Sequence, residues 1–330
     1  MIKGVRTMVS KLAGLIVALC AGSCAVASSP SFPQPGKPIR ILVGVAAGGG
    51  TDITARLVAE KLQALAGVPV VVENRPGASM MLAAAETARS APDGHTLLYT
   101  PDSALTQAPH VHDSVPYNPM KSFTPISLGA VGSVVLVAHE SLGVNTVKEF
   151  VSYAKAHPRT LTYASAGIGT AFHIYGEMLN RQAGLDMEHI PYKGAGDVGK
   201  DLLAGRIQAM FAAGSGALQF TKTGKVKMLG VAAPRRNDLL PGVPTLAEQG
   251  YRDFDIDTWL GWLGPAHMPP EIVDKLHRMF AQILAESDIR KRFREAAYEA
   301  QASTPAEMAS LLQASYDRWG SLIRQVRPAK

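Results

Sequence analysis

Cysteine is almost missing from this chain: two in 330 residues, Cys20 and Cys24, both near the N-terminus. That excludes a disulfide scaffold. Charged residues make up 18% and aromatics 6%, against 47% hydrophobic residues. A disordered chain would be richer in charge and poorer in Val, Ile and Leu. Beyond the N-terminus no apolar run reaches the 18 or more residues that a membrane span requires. There is no short repeat and no low-complexity segment, and spacing alone reveals no paired carboxylates, Cys/His cluster or complete catalytic triad. What remains is an α/β-type globule rich in Ala and Gly, long enough for one large domain or two medium ones.

The first 27 residues read separately from the rest. Met1–Lys11 carries Lys3, Arg6 and Lys11 with no acid, Leu12–Cys20 is apolar, and Ala25-Val26-Ala27 offers small residues at cleavage spacing. Basic, apolar and small in that order is the signature of a secretory signal peptide. The expectation is export to the periplasm with cleavage after Ala27. A lipoprotein reading through Cys24 is weaker, because Ala21 stands where a large aliphatic is needed. Cleavage takes away both cysteines, and with them disulfides, thiolate catalysis and Cys-ligated metals. It also removes three positive charges and no acid, so the formal charge falls from +6 to +3. That is no footprint for nucleic acid.

Strand-like and helical runs then alternate. Ile39–Val45, Val68–Glu73 and Thr96–Thr100 read as strands, separated by helices at Ile53–Leu65 and Leu82–Arg89. This order predicts a parallel sheet covered by helices. The pattern restarts at Ser133–His139 and continues in alternating units to Lys227–Ala232. A strand-like Phe254–Leu263 and three helices, near Glu271–Glu286, Ile289–Ala297 and Pro305–Arg324, close the chain. Two α/β units imply two lobes, with exit from the first near Pro125–Gly129 and return near Tyr251–Asp257. A double crossover makes a hinge, and two hinged lobes make a cleft. The expected division is 28–127 and 253–330 for the first lobe and 128–252 for the second.

Three strand-to-helix loops attract attention. Ala46-Ala47-Gly48-Gly49-Gly50-Thr51-Asp52 lets backbone N–H groups approach a ligand unobstructed at a helix N-terminus, which suits an anion. It is neither a Walker loop nor the spaced-glycine dinucleotide pattern. Asp52 reads either as a helix cap paired with Arg56 or as a ligand contact. The second loop, Ser165-Ala166-Gly167-Ile168-Gly169-Thr170, leads to His173, with Ser165 or Thr170 donating to a carboxylate or capping the helix. It fails as a nucleophile elbow because Tyr163 stands where a glycine is required. In the third, Tyr192-Lys193-Gly194-Ala195-Gly196-Asp197, Asp197 is an N-cap or a ligand contact. His110-Val111-His112-Asp113 is weak evidence for a metal. Trp259, Trp262 and Trp319 read as core, and Arg290-Lys291-Arg292 as a solvated helix face.

Taken together these motifs resemble the Bug family, the extracytoplasmic receptors of tripartite tricarboxylate transporters. The resemblance is carried by Gly48–Asp52 with Ala55-Arg56, Val71–Ala78, Ala91–Gly94, Tyr163–Gly167, Tyr192–Gly194, Leu240–Glu248 and Ile272–Leu276, and runs from about Pro38 to the C-terminus. It implies a type II-like periplasmic-binding-protein fold: two α/β lobes joined by a hinge, closing on a small carboxylate held by backbone amides and bridging waters. Carried over, it selects Ala47, Gly48, Gly49, Gly50, Thr51 and Asp52 in the first lobe. In the second it selects Ser165, Gly169, Thr170 and His173, with Gly167 in the same loop and Asp197 nearby. The implied partner of a monomeric receptor is a membrane permease pair; no cofactor, metal or catalysis is implied. The alternatives are a receptor docking on a membrane sensor, and an exported serine hydrolase using Ser165 and His173. The sequence departs from the family pattern at Val45, usually aromatic; at Ser79 and Met80, usually glycines; at Thr170, usually serine; and at Asp197, commonly apolar.

Overall fold

The computed structural model describes residues 32–192 and 195–326, with side chains of 195 and 196 left aside. The expected signal peptide lies outside the described residues, as do Lys193 and Gly194. Two mixed sheets organise the chain. The first has six strands in the order β11-β4-β10-β3-β1-β2, and the second five in the order β7-β6-β8-β5-β9. In the first, β1 (Ile39–Val43), β2 (Val70–Asn74) and β3 (Thr96–Pro101) are parallel, whereas β10 (Thr258–Pro265) runs antiparallel between β3 and β4 (Phe123–Gly132). The short β11 (Tyr298–Ala300) pairs antiparallel with β4. In the second, β6 (Thr162–Ser165), β7 (Glu188–Pro191) and β8 (Ala209–Ala213) are parallel, and β5 (Val134–His139) is antiparallel to β8 and to β9 (Val226–Ala232).

The expected purely parallel sheets are thus mixed, and the crossings explain it. β4 stays in the first sheet to Gly132, Ser133 makes the step, and β5 opens the second sheet running against its neighbours. The chain comes back as β10, and the returning strand also opposes the βα units beside it. Pro125, Gly129 and Gly132 break the strand signal of β4, so it was not visible in the sequence pattern.

The helices that matter for the cleft start at C-terminal ends of parallel strands: α1 (Gly50–Ala66) after β1, α2 (Met81–Ala88) after β2, and the short α3 (Ser103–Thr106) and α4 (Ala108–Val111) after β3. In the second lobe α5 (Val147–Ala156) follows the antiparallel β5, at the opposite end of the sheet, whereas α6 (Ala171–Ala183) follows β6, α7 (Ala195–Leu203) follows β7 and α8 (Gly214–Thr221) follows β8. Ligands of open α/β sheets bind outside these strand ends. Three helices finish the chain: α9 (Pro270–Ala285), α10 (Ser287–Glu295) and α11 (Pro305–Val326). A reciprocal pair starts α11, with Glu307 N–H donating to Thr304 Oγ1 and Thr304 N–H to Glu307 Oε2.

Each sheet is sandwiched between two apolar cores. α11 enters both lobes: Met308 and Leu312 pack with Leu98, Trp259 and Leu263 of the first, while Trp319, Leu322 and Ile323 pack with Tyr175, Phe211 and Phe254 on the second. One helix therefore straps the two lobes together across the hinge.

Candidate functional site

The first loop is held from below. Ala46–Gly49 are exposed, while Gly50, Thr51 and Asp52 are buried. Gly48 takes φ +85°, a left-handed conformation that favours glycine. Gly49 is the residue ahead of the helix, and no side chain caps it. The first helical bond runs from Ile53 N–H to the Gly49 carbonyl, so the N–H groups of Gly50, Thr51 and Asp52 precede the intrahelical ladder. Thr54 Oγ1 donates to the carbonyls of Gly50 and Thr51 and meets the Tyr99 hydroxyl at 3.2 Å, and Tyr99 stacks on Trp262. A rigid aromatic floor thus fixes the first turn.

Asp52 is not the N-cap; it is the third helical residue and reaches backward. Its carboxylate accepts from Gly48 N–H at 2.9 Å, Asn74 Nδ2 at 2.9 Å and Arg56 Nε at 3.1 Å. The expected pairing with Arg56 is present, at 3.0 Å between Nη2 and Oδ1. Burial pushes the carboxyl up, but Arg56, Gly48 N–H and Asn74 outweigh it and hold it below its usual value. Asp52 is therefore ionised and tied into the loop, and Gly48 N–H, one of the expected ligand donors, is committed to it.

The second loop is built differently. Ser165 is fully buried, and its Oγ lies 2.8 Å from His189 Nε2 while donating to the Gly167 carbonyl and accepting from Gly167 N–H. The hydrolase alternative paired Ser165 with His173; the structure pairs it with His189. Thr170 caps α6, its Oγ1 accepting from His173 N–H and donating to the Gly167 carbonyl. Gly169 N–H donates to His173 Nδ1. The His173 and His189 rings lie 4.3 Å apart, and burial, then the neighbouring His173, pushes His189 down to about 4. Within this loop the Ser165 and Thr170 hydroxyls and the Gly167, Gly169 and Thr170 amides are all bonded.

The loops of the two lobes meet. Ser79 Oγ donates to the Ile168 carbonyl at 2.6 Å, and His112 Nε2 lies 3.1 Å from the same oxygen. Ala171 N–H donates to Ser103 Oγ at 3.4 Å. A Cβ on Gly50 would sit 2.6 Å from Ser215 Oγ and 2.9 Å from Tyr298 Cε2. Under this junction Asp102 is completely buried, accepting from Gln107 Nε2 at 2.9 Å and Thr258 Oγ1 at 2.8 Å. Burial is the largest influence on it, and lifts its carboxyl to about 6.

The first and second loops therefore stand at facing strand ends. Asp197 stands apart from its expected cap role: it is the third residue of α7, largely exposed and paired with Lys200 at 3.0 Å. Among the described residues no group of three or more His, Cys, Asp or Glu could hold a metal ion. His110 Nε2 meets the Tyr316 carbonyl and His112 faces the second lobe, so the suspected metal pair points two ways. Sequence reasoning noted Ser79 only as a departure from the family's usual glycine, and missed Ser103, Ser215, Tyr298 and Asp102. Only Ser215 carried a visible signal, a Gly-Ser-Gly following a strand.

Comparison with known proteins agrees with this architecture. Residues 54–327 match the family described as the tripartite tricarboxylate transporter family receptor. BugT of Bordetella pertussis is 30% identical over 313 residues, covering 94% of this chain and 95% of BugT. The periplasmic binding protein BugD superposes with a TM-score of 0.83 at 31% identity, over 89% of this chain and 98% of BugD. MatC from Rhodopseudomonas palustris, solved with bound malate, gives 0.82 at 32% identity, over 88% of this chain and all of that one (100%). The chain belongs to the tripartite tricarboxylate transporter receptor family.

Proposed function

We propose that this receptor is exported with cleavage near Ala27, works in the periplasm as a monomer, and captures a small carboxylate between its lobes for a membrane permease pair. The observation that carries the reading is the uncapped start of α1. There Gly50, Thr51 and Asp52 present N–H groups ahead of the helical ladder, beside exposed Ala47 and Gly49. Such a terminus attracts negative charge through its oriented amides and the helix dipole. The malate held by MatC supports a carboxylate as the ligand class. The Gly48 N–H and the Asp52 carboxylate that accepts from it shape the loop in this reading. Ser165, Gly167, Gly169, Thr170 and His173 form the preorganised wall opposite, and Asp197 stays at the rim.

The test is a thermal-shift panel on the exported chain, unfolded and refolded to strip carried ligand, with malate, other mono- and dicarboxylates, amino acids, sugars and esters. A ligand at ~100 times its dissociation constant adds ~2.7 kcal/mol, a readable rise in melting temperature. A rise with one or a few carboxylates and no turnover is the expected result. No rise with any carboxylate, and hydrolysis of an ester, would overturn the reading.

A further inference from the structure

The loop after β2 carries the most strained backbone in the described chain. Ala78, Ser79 and Met80 have φ of 46°, 53° and 70°, three consecutive residues with side chains in the left-handed region, directly after Gly77 at 117°. Each Cβ makes that conformation costly, and runs of it persist only where surrounding structure enforces them. Met80 is buried against the β1 loop, so close that a Cβ on Gly44 would lie 2.8 Å from its own, and its N–H returns to the Gly77 carbonyl. That bracing explains Met80 but not Ser79. The Ser79 hydroxyl is spent on the other lobe: it donates to the Ile168 carbonyl and lies 3.0 Å from His112 Nε2. With the serine proton given to the carbonyl, His112 Nε2 faces two acceptors and carries the N–H itself.

Two glycines on the far side make the approach possible. The Cβ position of Gly167 is 3.5 Å from Ser79 Oγ, and that of Gly169 is 3.1 Å from Val111 Cβ and 3.3 Å from His112 Nε2. Both have positive φ, at 137° and 83°. Between them Ile168 turns its carbonyl inward, while its side chain is about half exposed at 47%.

We propose that Ser79 is a positioning residue for ligand capture: the left-handed turn delivers its hydroxyl to the Ile168 carbonyl and, with His112, clasps the second loop over the cleft. The clasp contributes to the closed arrangement, whichever ligand fills it. It rests on the two-lobe receptor reading but not on the ligand being a carboxylate.

The experiment measures closure directly. Spin labels on cysteines introduced as Glu60→Cys and Lys148→Cys, both exposed positions on opposite lobes, report the interlobe distance by pulsed electron resonance. Wild type, Ser79→Ala and Ser79→Gly are compared without ligand and with malate. Losing one neutral hydrogen bond lowers the closed-to-open ratio about threefold to tenfold. Both variants should show that loss, while the ligand-free melting temperature stays level in Ser79→Ala and rises in Ser79→Gly, where strain is relieved. Closed fractions equal to wild type, or a loss in step with a lower ligand-free melting temperature, overturn the clasp. If malate closes nothing, that choice of ligand fails, and the ligand-free fractions still decide for or against Ser79.

Discussion

The two loops that face each other across the cleft begin from the same recipe and end in opposite states. Each follows a parallel strand, contains glycine at positive φ (Gly48 in the first, Gly167 and Gly169 in the second) and leads into a helix. The first leaves α1 without a side-chain cap and exposes Ala46–Gly49. The second closes on itself: Thr170 caps α6, Gly167 N–H goes to Ser165, and Gly169 N–H goes to His173. The difference teaches where an anion can be recognised. A donor already bonded inside the protein gains little from a ligand, whereas one left to water gains a partner. In the proposed reading the first loop recognises the anion, and the second is a shaped wall opposite it.

Substitutions that exchange the characters of the two loops break this comparison most strongly. Gly49 has ordinary extended backbone at φ −75°, and a Cβ there would meet only the Ala46 carbonyl at 3.7 Å. Gly49→Val should therefore fold normally yet place two methyls over the uncapped amides. Isothermal titration should show affinity down ~1000-fold, or ~4 kcal/mol, with the melting temperature unchanged.

Asp102, beneath the contact between Ser103 and Ala171, sharpens the comparison through pH. Its carboxyl is lifted to about 6 from an ordinary 3.8. The folded state then binds the proton more tightly than the unfolded one, so this group costs stability progressively as pH rises from about 4 to about 6. Asp102→Asn removes the charge, and a flipped Gln107 can offer its Oε1, which has no partner among the described residues. The variant should gain up to ~3 kcal/mol above pH 6 in denaturant titrations, and nothing at pH 4. His189 slopes the other way: pushed down to about 4, it contributes stability above its ordinary 6.5 that is lost as pH falls toward 4. The difference between variant and wild type isolates Asp102.

Asp52→Ala should cost ~2 kcal/mol of stability, because Asn74 and Arg56 lose a shared buried partner. It should also weaken binding by freeing the Gly48 turn. Thr170→Ala has the smallest effect: ~1 kcal/mol for a lost cap, measured by thermal unfolding, with affinity changed less than threefold.

Much of this was legible in the residues themselves. Gly48-Gly49-Gly50 after an apolar strand marks the exposed turn ahead of α1, and the restart of the βα pattern near Ser133 marks a second lobe. Asp52 illustrates the limit. Its pairing with Arg56 followed from i,i+4 spacing, but its reach back to Gly48 and out to Asn74 depends on β1 and β2 lying side by side. For Ser165 and Thr170 the sequence offers ligand contact or cap; Ser165 instead meets His189 on β7, 24 residues away, and Thr170 caps α6. Ser103 and Asp102 carry no local pattern, and Ser79 shows only as a serine where the family usually has glycine. Ser79 and Ser103 act through contacts with the other lobe, and Asp102 through Thr258, 156 residues away within its own lobe; no window of sequence contains these.

Backbone amide NMR tests the central claim most directly. With uniformly 15N-labelled protein, titration of the carboxylate that raises the melting temperature should move the Gly49, Gly50, Thr51 and Asp52 amide protons farthest downfield, as they acquire a charged acceptor. The amides of Gly167, Gly169 and His173, already bonded within their loop, should move little. Large downfield shifts confined to residues 165–173, with 47–52 unmoved, would contradict the account and shift recognition to the second lobe.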